Sequence, residues 1–388
     1  MKLEPRPVRS FGAPEIGTFL HANLERLGNY LLENNKQWRD LDEEEQENLC
    51  RTVADEILQE NQLGEETSDA YQKAIEQRVQ RTLHVTVDRL VEWSKRSDFD
   101  TKYLEQDFGR QGGWDPIRVP LGEDRYLRLI GQIDRIDEYT RDGQTYGMVI
   151  DYKSGGAHVT AQDVYYGLKL QLMTYLLALE SAYGKTHGGS MSPAAVVYSY
   201  VKNPKIPADV PISYEDAVSL ANESDAWQNS GYFSDDIELL THIDNKFLSY
   251  GSKRGPYVPI ATKKDQTISS RDLRKVKSTG EFDVMCRYTN HVMAETGRHI
   301  GEGQFPIKPY QLNGFRPCTF CDYRTVCRFD SSRNRYNYLS RLSEDDALER
   351  MKEVLNDGNN SNDRNNSSNG NKSNVASISN KGGEDHGC

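Results

Sequence analysis

The sequence contains no long hydrophobic run. Nowhere do about 18 apolar residues follow one another, the length a helix needs to cross a bilayer, so no membrane-spanning segment is expected. The opening residues Met1-Lys2-Leu3-Glu4-Pro5-Arg6 lack the apolar core of a secretory signal, and a cytoplasmic protein is the expectation. A Gly-x-x-x-x-Gly-Lys-Ser/Thr loop is missing as well, which excludes a P-loop nucleotide site of the chain's own. No internal repeat is present, which sets aside solenoid architectures. Apolar residues are few, at 36% with a mean hydropathy of -0.77, and a polar C-terminal tail accounts for part of this. Positive charge is in deficit: 48 Lys and Arg against 59 Asp and Glu leave a net charge of -11. That argues against a general nucleic-acid coat. It leaves room for a nuclease, whose acidic centre binds metal while local basic strips hold DNA. Six cysteines occur in 388 residues and three are clustered, a pattern that in a cytoplasmic chain favours metal over disulfide.

The chain is long enough for one large domain or two ordinary ones. Residues 14–96 read as helices, with Leu20, Leu24, Leu27 and Leu31 at helical spacing. The acidic run Asp42-Glu43-Glu44-Glu45 suits a helix start, and a second periodic run covers residues 71–93. Residues 100–153 turn strand-like. Thr160 and Asp163 form a capping box for a helix expected to continue to about Tyr183, and Ala194 to Val201 reads as a buried strand. Further helices are expected near residues 235–250 and 282–302. From about Asp357 the composition becomes Asn, Ser, Gly and Lys, which cannot bury enough apolar area to offset chain entropy, so disorder is expected there. The order of elements predicts a mixed α/β sandwich. The divisions expected are a helical part at 1–100, a core at 101–201, an extension carrying the cysteines at 202–335, and a short helix with a disordered tail at 336–388.

Within the strand region two short segments end in acid. One is Gly131-Gln132-Ile133-Asp134-Arg135-Ile136-Asp137 and the other Met148-Val149-Ile150-Asp151-Tyr152-Lys153. Asp142-Gly143 lies between them, the strongest short hairpin signal. A two-residue turn there sets Asp134 opposite Asp151, with Cβ atoms about 5 Å apart. Carboxylates that close repel, and a hard divalent cation such as Mg²⁺ or Mn²⁺ would hold them. Alternation puts Lys153 on the face of Asp151 and Asp137 on the opposite face, where a structural role is expected. Two acids and a lysine at one point suit phosphodiester cleavage.

Other candidates have plainer alternatives. His21, with Gly17 one turn earlier leaving room beside its ring, is a further metal ligand or a satisfied helix histidine. Gln171 and Tyr175 share a helix face beside the apolar Leu172, Leu176 and Leu179; they could bind phosphate or a base, or simply flank that face. Glu105 is a candidate supporting acid, with Asp107 competing. The basic strip Lys253, Arg254, Lys263, Lys264, Arg271, Arg274, Lys275 and Lys277 reads equally as a DNA contact or a solvated loop. Cys318, Cys321 and Cys327 form C-x₂-C-x₅-C, suited to an iron–sulfur cluster or zinc, each needing a fourth ligand. Cys50 and Cys286 lie in amphipathic helices as small buried hydrophobes, and Cys388 ends the tail.

Taken together, His21, Gly131-x-x-Asp134, Asp151-x-Lys153 and Gln171-x-x-x-Tyr175 resemble the RecB-type branch of the PD-(D/E)XK nucleases. The stretches at 131–137 and 165–172 and the Cys318-x-x-Cys321-Asp322-Tyr323-Arg324 segment resemble the C-terminal nuclease domain of the AddB (RexB) family. The resemblance covers residues 1–335 and implies a PD-(D/E)XK core of mixed sheet flanked by helices. It implies metal at His21, Asp134, Asp151 and the Tyr152 carbonyl, with Lys153, Gln171 and Tyr175 completing the site. It also implies a 4Fe–4S cluster on Cys318, Cys321 and Cys327, whose fourth cysteine in that family precedes a segment resembling residues 3–6. The chain then looks like a fragment lacking the N-terminal helicase-like region. The implied activity is a 5′-strand DNA exonuclease that works with an AddA-like helicase–nuclease partner on DNA ends and single strands, in double-strand break repair by homologous recombination. A stand-alone iron–sulfur nuclease and a non-catalytic DNA-binding scaffold are the rival expectations.

Overall fold

The computed structural model describes residues 13–60, 69–122, 124–201 and 227–369, with residues 213 and 216 between them. Its centre is a six-stranded mixed sheet. In spatial order the strands are β1 (Asp100–Phe108), β4 (Gly131–Arg141), β5 (Gln144–Lys153), β6 (Met191–Tyr200), β7 (Ser230–Ser234) and β8 (Val276–Lys277). A separate hairpin of β2 (Ile117–Gly122) and β3 (Arg125–Leu129) interrupts the path from β1 to β4.

Turn chemistry sets the register of the β4–β5 hairpin. Asp142 and Gly143 have φ of 52° and 79°, both left-handed, as a type I′ turn requires. Arg141 then pairs with Gln144, and the ladder runs without a slip to Arg135 opposite Ile150, which carries Asp134 and Asp151 to the same end of the hairpin. Beyond Arg135 the side chain of Asp134 joins in, its Oδ2 accepting from the backbone N–H of Tyr152 at 2.7 Å. β5 and β6 are parallel, so a helical crossover must connect them.

That crossover departs from the single helix expected after Thr160. The Thr160 and Asp163 capping box is present, but α4 (Ala161–Tyr165) stops at once, and α5 (Gln171–His187) begins anew. Gly167 takes φ of 69°, and the N–H groups of Leu168 and Lys169 return to the Asp163 carbonyl. A glycine in the left-handed region ends the first helix as a Schellman-type stop does. The break places Gln171 at the start of a new helix aimed at the end of β5.

Both faces of the sheet are covered. On one lie α1 (Ala13–Glu33), α2 (Glu43–Glu60), α3 (Asp69–Arg96) and α6 (Ile237–Ile243). Leu20, Leu24, Leu27 and Leu31 of α1, all at most 2% exposed, pack with Trp93, Phe99, Met148, Ile150 and Tyr152. The other face carries α4, α5, α7 (Thr279–Gly301) and α9 (Glu344–Asn369), where Leu172, Leu176 and Leu179 meet Ile136, Val149 and Val196. Cys50 and Cys286 are buried in these two cores, as expected of small hydrophobes. The α8 turn (Arg324–Cys327) belongs to the cysteine segment, and β9 (Tyr310–Gln311) pairs with β10 (Asn337–Tyr338) nearby.

Disorder from about Asp357 is corrected for part of its length: α9 continues as helix to Asn369. Ser343 caps its start, and Ala347, Leu348 and Met351 anchor it in the core. Once a helix is nucleated and anchored, each added residue gains a hydrogen bond, while Asn and Ser disfavour it by only about 0.5 kcal/mol each. Residues 370–388, including Cys388, lie outside the described residues, as do residues 1–12 and most of 202–226.

Candidate active site

The site forms where β5 ends and both helical layers reach the sheet. α1 comes from one face and delivers His21; α5 comes from the other and delivers Gln171 and Tyr175. His21 Nε2 donates to the Tyr152 carbonyl at 3.0 Å. Its Nδ1 lies 3.5 Å from Glu105 Oε1 and 3.4 Å from Asp134 Oδ2. One ligand atom from each of His21, Glu105 and Asp134 lies within 4.8 Å of the others, and no other such His/Cys/Asp/Glu trio occurs among the described residues. A nitrogen and carboxylate oxygens, with a backbone carbonyl beside them, form a donor set suited to a divalent cation.

Glu105 therefore separates from its competitor. Asp107 turns outward to Arg110 at 2.8 Å. Glu105 holds φ at 43°, a left-handed conformation inside a strand that follows a register shift between Thr101 and Tyr103. A non-glycine residue there costs on the order of 1–2 kcal/mol. Strand alternation could not separate two acids of the same parity; the backbone conformation does. Gly17 plays no part beside the imidazole: a Cβ at that position would meet only Ser154 Oγ, at an ordinary 3.6 Å. Gly131 is needed more, since a Cβ there would come within 2.5 Å of the Phe108 ring.

Asp151 stands apart from the three-residue group and faces Lys153, whose Nζ lies 2.6 Å from its Oδ2. The approach forms an ion pair without a well-directed hydrogen bond, and both Asp151 oxygens are buried with none. Buried carboxylate oxygens are rarely left so. Lys153 in turn donates to Gln171 Oε1 at 3.3 Å, and Gln171 Nε2 donates to the Tyr175 hydroxyl at 2.9 Å. The Lys153 ammonium also lies 5.5 Å from the centre of the Tyr198 ring. Tyr198 sits inside the apolar strand run and carried no sequence signal; its place beside Lys153 comes from the parallel register, in which it opposes Asp151.

Electrostatics agree with a site short of positive charge. Burial pushes the Asp134 carboxyl up, with Glu105 adding to the effect and His21 opposing it. Burial and then the neighbouring Asp134 charge push Asp151 up as well. For His21 burial works against the imidazolium, but the Glu105 hydrogen bond and the Asp134 charge outweigh it, and the pKa rises. Burial also lifts Tyr175 to about 12, so its hydroxyl stays protonated. Each shift is what a cavity prepared for a cation shows when its charges have only one another.

Asp137 occupies the opposite face. It is 2% exposed and grips Arg135 at both oxygens, 2.7 Å to Nε and 2.6 Å to an Nη. Arg135 also packs over Trp93.

A sequence profile of the PD-(D/E)XK nuclease superfamily matches residues 1–328. The chain belongs to the PD-(D/E)XK nuclease superfamily. Its mixed sheet flanked by helices is the α/β core expected of that membership. Among its relatives, a Clostridioides difficile (strain 630) protein, named as the B subunit of an ATP-dependent helicase/deoxyribonuclease, is 29% identical over 359 residues, covering 92% of this chain and 31% of the relative. Proteins of the same name from Bacillus cereus (strain AH187) and Bacillus anthracis are each 32% identical, covering 91% of this chain and 30% of theirs. The chain thus spans about a third of the length of the curated relatives it matches.

The cysteine segment is not drawn together in the same way. Cys321 is exposed, Cys318 and Cys327 are partly so, and their sulfurs do not converge as a single-ion trio. Among the described residues the other cysteines, Cys50 and Cys286, are in the core. The described donor set is therefore three thiols, one short of a four-cysteine cluster. No helix among the described residues is long and apolar enough to cross a membrane.

Proposed function

We propose that the chain is a divalent-metal-dependent deoxyribonuclease domain, hydrolysing DNA phosphodiesters as an exonuclease. The observation that carries this reading is the convergence of His21, Glu105 and Asp134 next to a buried, unbonded Asp151 that lies against Lys153. His21, Glu105, Asp134 and Asp151, with the Tyr152 carbonyl, would hold Mg²⁺ or Mn²⁺. When bound, the cation supplies Lewis acidity that activates water and offsets phosphate charge. The orphaned Asp151 oxygens and the mutually repelling acids fit such a group.

The chain's own residues supply the rest. Lys153 presents a fixed ammonium where a scissile phosphate gains negative charge, and such preorganised charge stabilises the transition state. Gln171 fixes the direction of that ammonium, and Tyr175 fixes Gln171. Water attacks phosphorus in line, the P–O bond to the departing sugar oxygen breaks, and that oxygen leaves with a proton. Asp137 stays outside the chemistry.

From the names of the relatives we extend the reading to the AddB component of an AddAB-type helicase–nuclease, paired with an AddA-like partner, digesting the 5′-ended strand in recombinational repair in the cytoplasm. A 4Fe–4S cluster on Cys318, Cys321 and Cys327 would need a further ligand, and no step is derived through it. Hydrolysis of a 5′-labelled single-stranded oligonucleotide with Mg²⁺, with EDTA, and by Lys153→Met tests the assignment. Activity with Mg²⁺ that EDTA and Lys153→Met both abolish is expected. Full cleavage by Lys153→Met would refute it, and tight DNA binding without any cleavage would favour the scaffold reading.

A further inference from the structure

The largest cavity of the molecule lies outside the cluster just described. It is a cleft of about 1600 Å³ between the crossover start at 158–163, β7, the loop leading into β8, and residues 310–315 and 341–345. Sites for compact small molecules run to about 1,000 Å³, so this one suits an extended ligand. Its inner end touches the candidate active site. Tyr200 lines the cleft and is the cross-strand partner of Lys153.

The lining carries cations at the rim and satisfied acids within. Asp163 caps α4 and takes Lys169 at 3.3 Å. Glu281 caps Ser278, and Glu344 takes the Tyr232 hydroxyl at 2.9 Å and Lys277 at 3.6 Å. Arg274 and Arg341 line the same cleft, are exposed, and have no carboxylate partner among the described residues. Asp345 is an exposed lining acid set against them. Tyr310 and Phe315 stand in the wall with ring centres 6.1 Å apart, and Phe315 is 50% exposed.

The position of Arg274 is built rather than loose. Asp272, wholly buried, holds Arg254 through two hydrogen-bonded nitrogens and accepts from the Ala261 N–H at 3.1 Å, so the loop from 254 to 275 closes on one carboxylate. The loop leaves Lys263 and Lys264 exposed at a hairpin tip bridged between Thr262 and Ile268. Of the basic strip seen in the sequence, Lys277 is therefore an internal residue, whereas Arg274 faces the cleft.

We propose that this cleft carries single-stranded DNA to or from the candidate active site, with Arg274 and Arg341 on phosphates and Phe315 stacking a base. The inference rests on the nuclease reading for its direction, since the cleft ends beside Lys153. Separated cations with interleaved exposed aromatics fit a strand whose bases are unstacked. A duplex would hide its base faces from Phe315.

Fluorescence anisotropy of a labelled 20-nucleotide oligonucleotide tests it, using the full chain with Asp134→Asn to prevent cleavage and a series of salt concentrations. Each phosphate contact on a single strand contributes a slope of about 0.7 in log affinity against log salt, which at 0.1 M salt is about fivefold. Arg274→Ala/Arg341→Ala should weaken binding about 25-fold and flatten the slope by about 1.4. Phe315→Ala should weaken binding about fivefold or more with the slope unchanged. Lys95→Ala/Lys185→Ala, the same loss of charge on other surfaces, should change little. Binding and slope unchanged in the arginine pair would overturn the cleft assignment, even with the wild-type chain cutting DNA. A protein that never cuts but shows these binding losses would keep the cleft and remove the nuclease reading.

Discussion

Asp134 and Asp137 lie three residues apart in one strand, yet their replacement by asparagine should have opposite consequences. Asp137 is the sole carboxylate on Arg135 among the described contacts, and both side chains are at most 3% exposed. Burial alone would lower the Arg135 pKa; the Asp137 pairing more than offsets it, and the pKa rises. Removing one partner of a buried pair strands the other charge, which costs about 3–5 kcal/mol. Asp137→Asn should therefore lower the free energy of unfolding by about that amount. Asp134 is in the reverse position. Burial and Glu105 hold its carboxyl up, at about 6, and the amide of asparagine can still accept from the Tyr152 N–H. One pKa unit corresponds to about 1.4 kcal/mol, and the shift is shared with Asp151, so Asp134→Asn should stabilise the metal-free protein by on the order of 1 kcal/mol. Urea unfolding in EDTA at pH 7 measures both, and oligonucleotide hydrolysis with Mg²⁺ records activity on the same preparations. The expected pattern is a stable, inactive Asp134→Asn and an unstable Asp137→Asn that retains activity where folded. The reasoning fails if Asp137→Asn loses under 1 kcal/mol, or if Asp134→Asn loses as much as Asp137→Asn.

Three further outcomes follow from the same geometry. Without metal, stability should fall as pH rises between about 4 and 6, because Asp134 and Asp151 bind protons more tightly folded than unfolded; urea titrations in EDTA across that range should show the decline, and Asp134→Asn/Asp151→Asn should flatten it. Mg²⁺ at about 100 times its Kd should raise unfolding free energy by about 2.7 kcal/mol, and Asp134→Asn should remove most of the gain. Glu105→Gly relieves the left-handed backbone at φ of 43°, so it should raise stability by up to about 1 kcal/mol while depressing Mg²⁺ affinity in calorimetry.

Local chemistry made much of this protein readable from its residues. The Asp142-Gly143 pair dictates a type I′ turn, and that turn fixes the partner of every residue along the hairpin, since a slip by one would exchange its two faces. Helical spacing of leucines announced α1, and a capping box announced α4. The three-dimensional fold decided what spacing could not. It chose Glu105 over Asp107 through a strand irregularity, broke the crossover at Gly167 so that Gln171 and Tyr175 face Lys153, and brought Tyr198 under that lysine. It also gathered Arg274, Phe315 and Arg341, far apart along the chain, around one cleft. Turns, caps and alternation act over a few bonds and are written in neighbouring residues; a cation's ligands and a strand's track are assembled from distant segments, and only packing determines which of them meet.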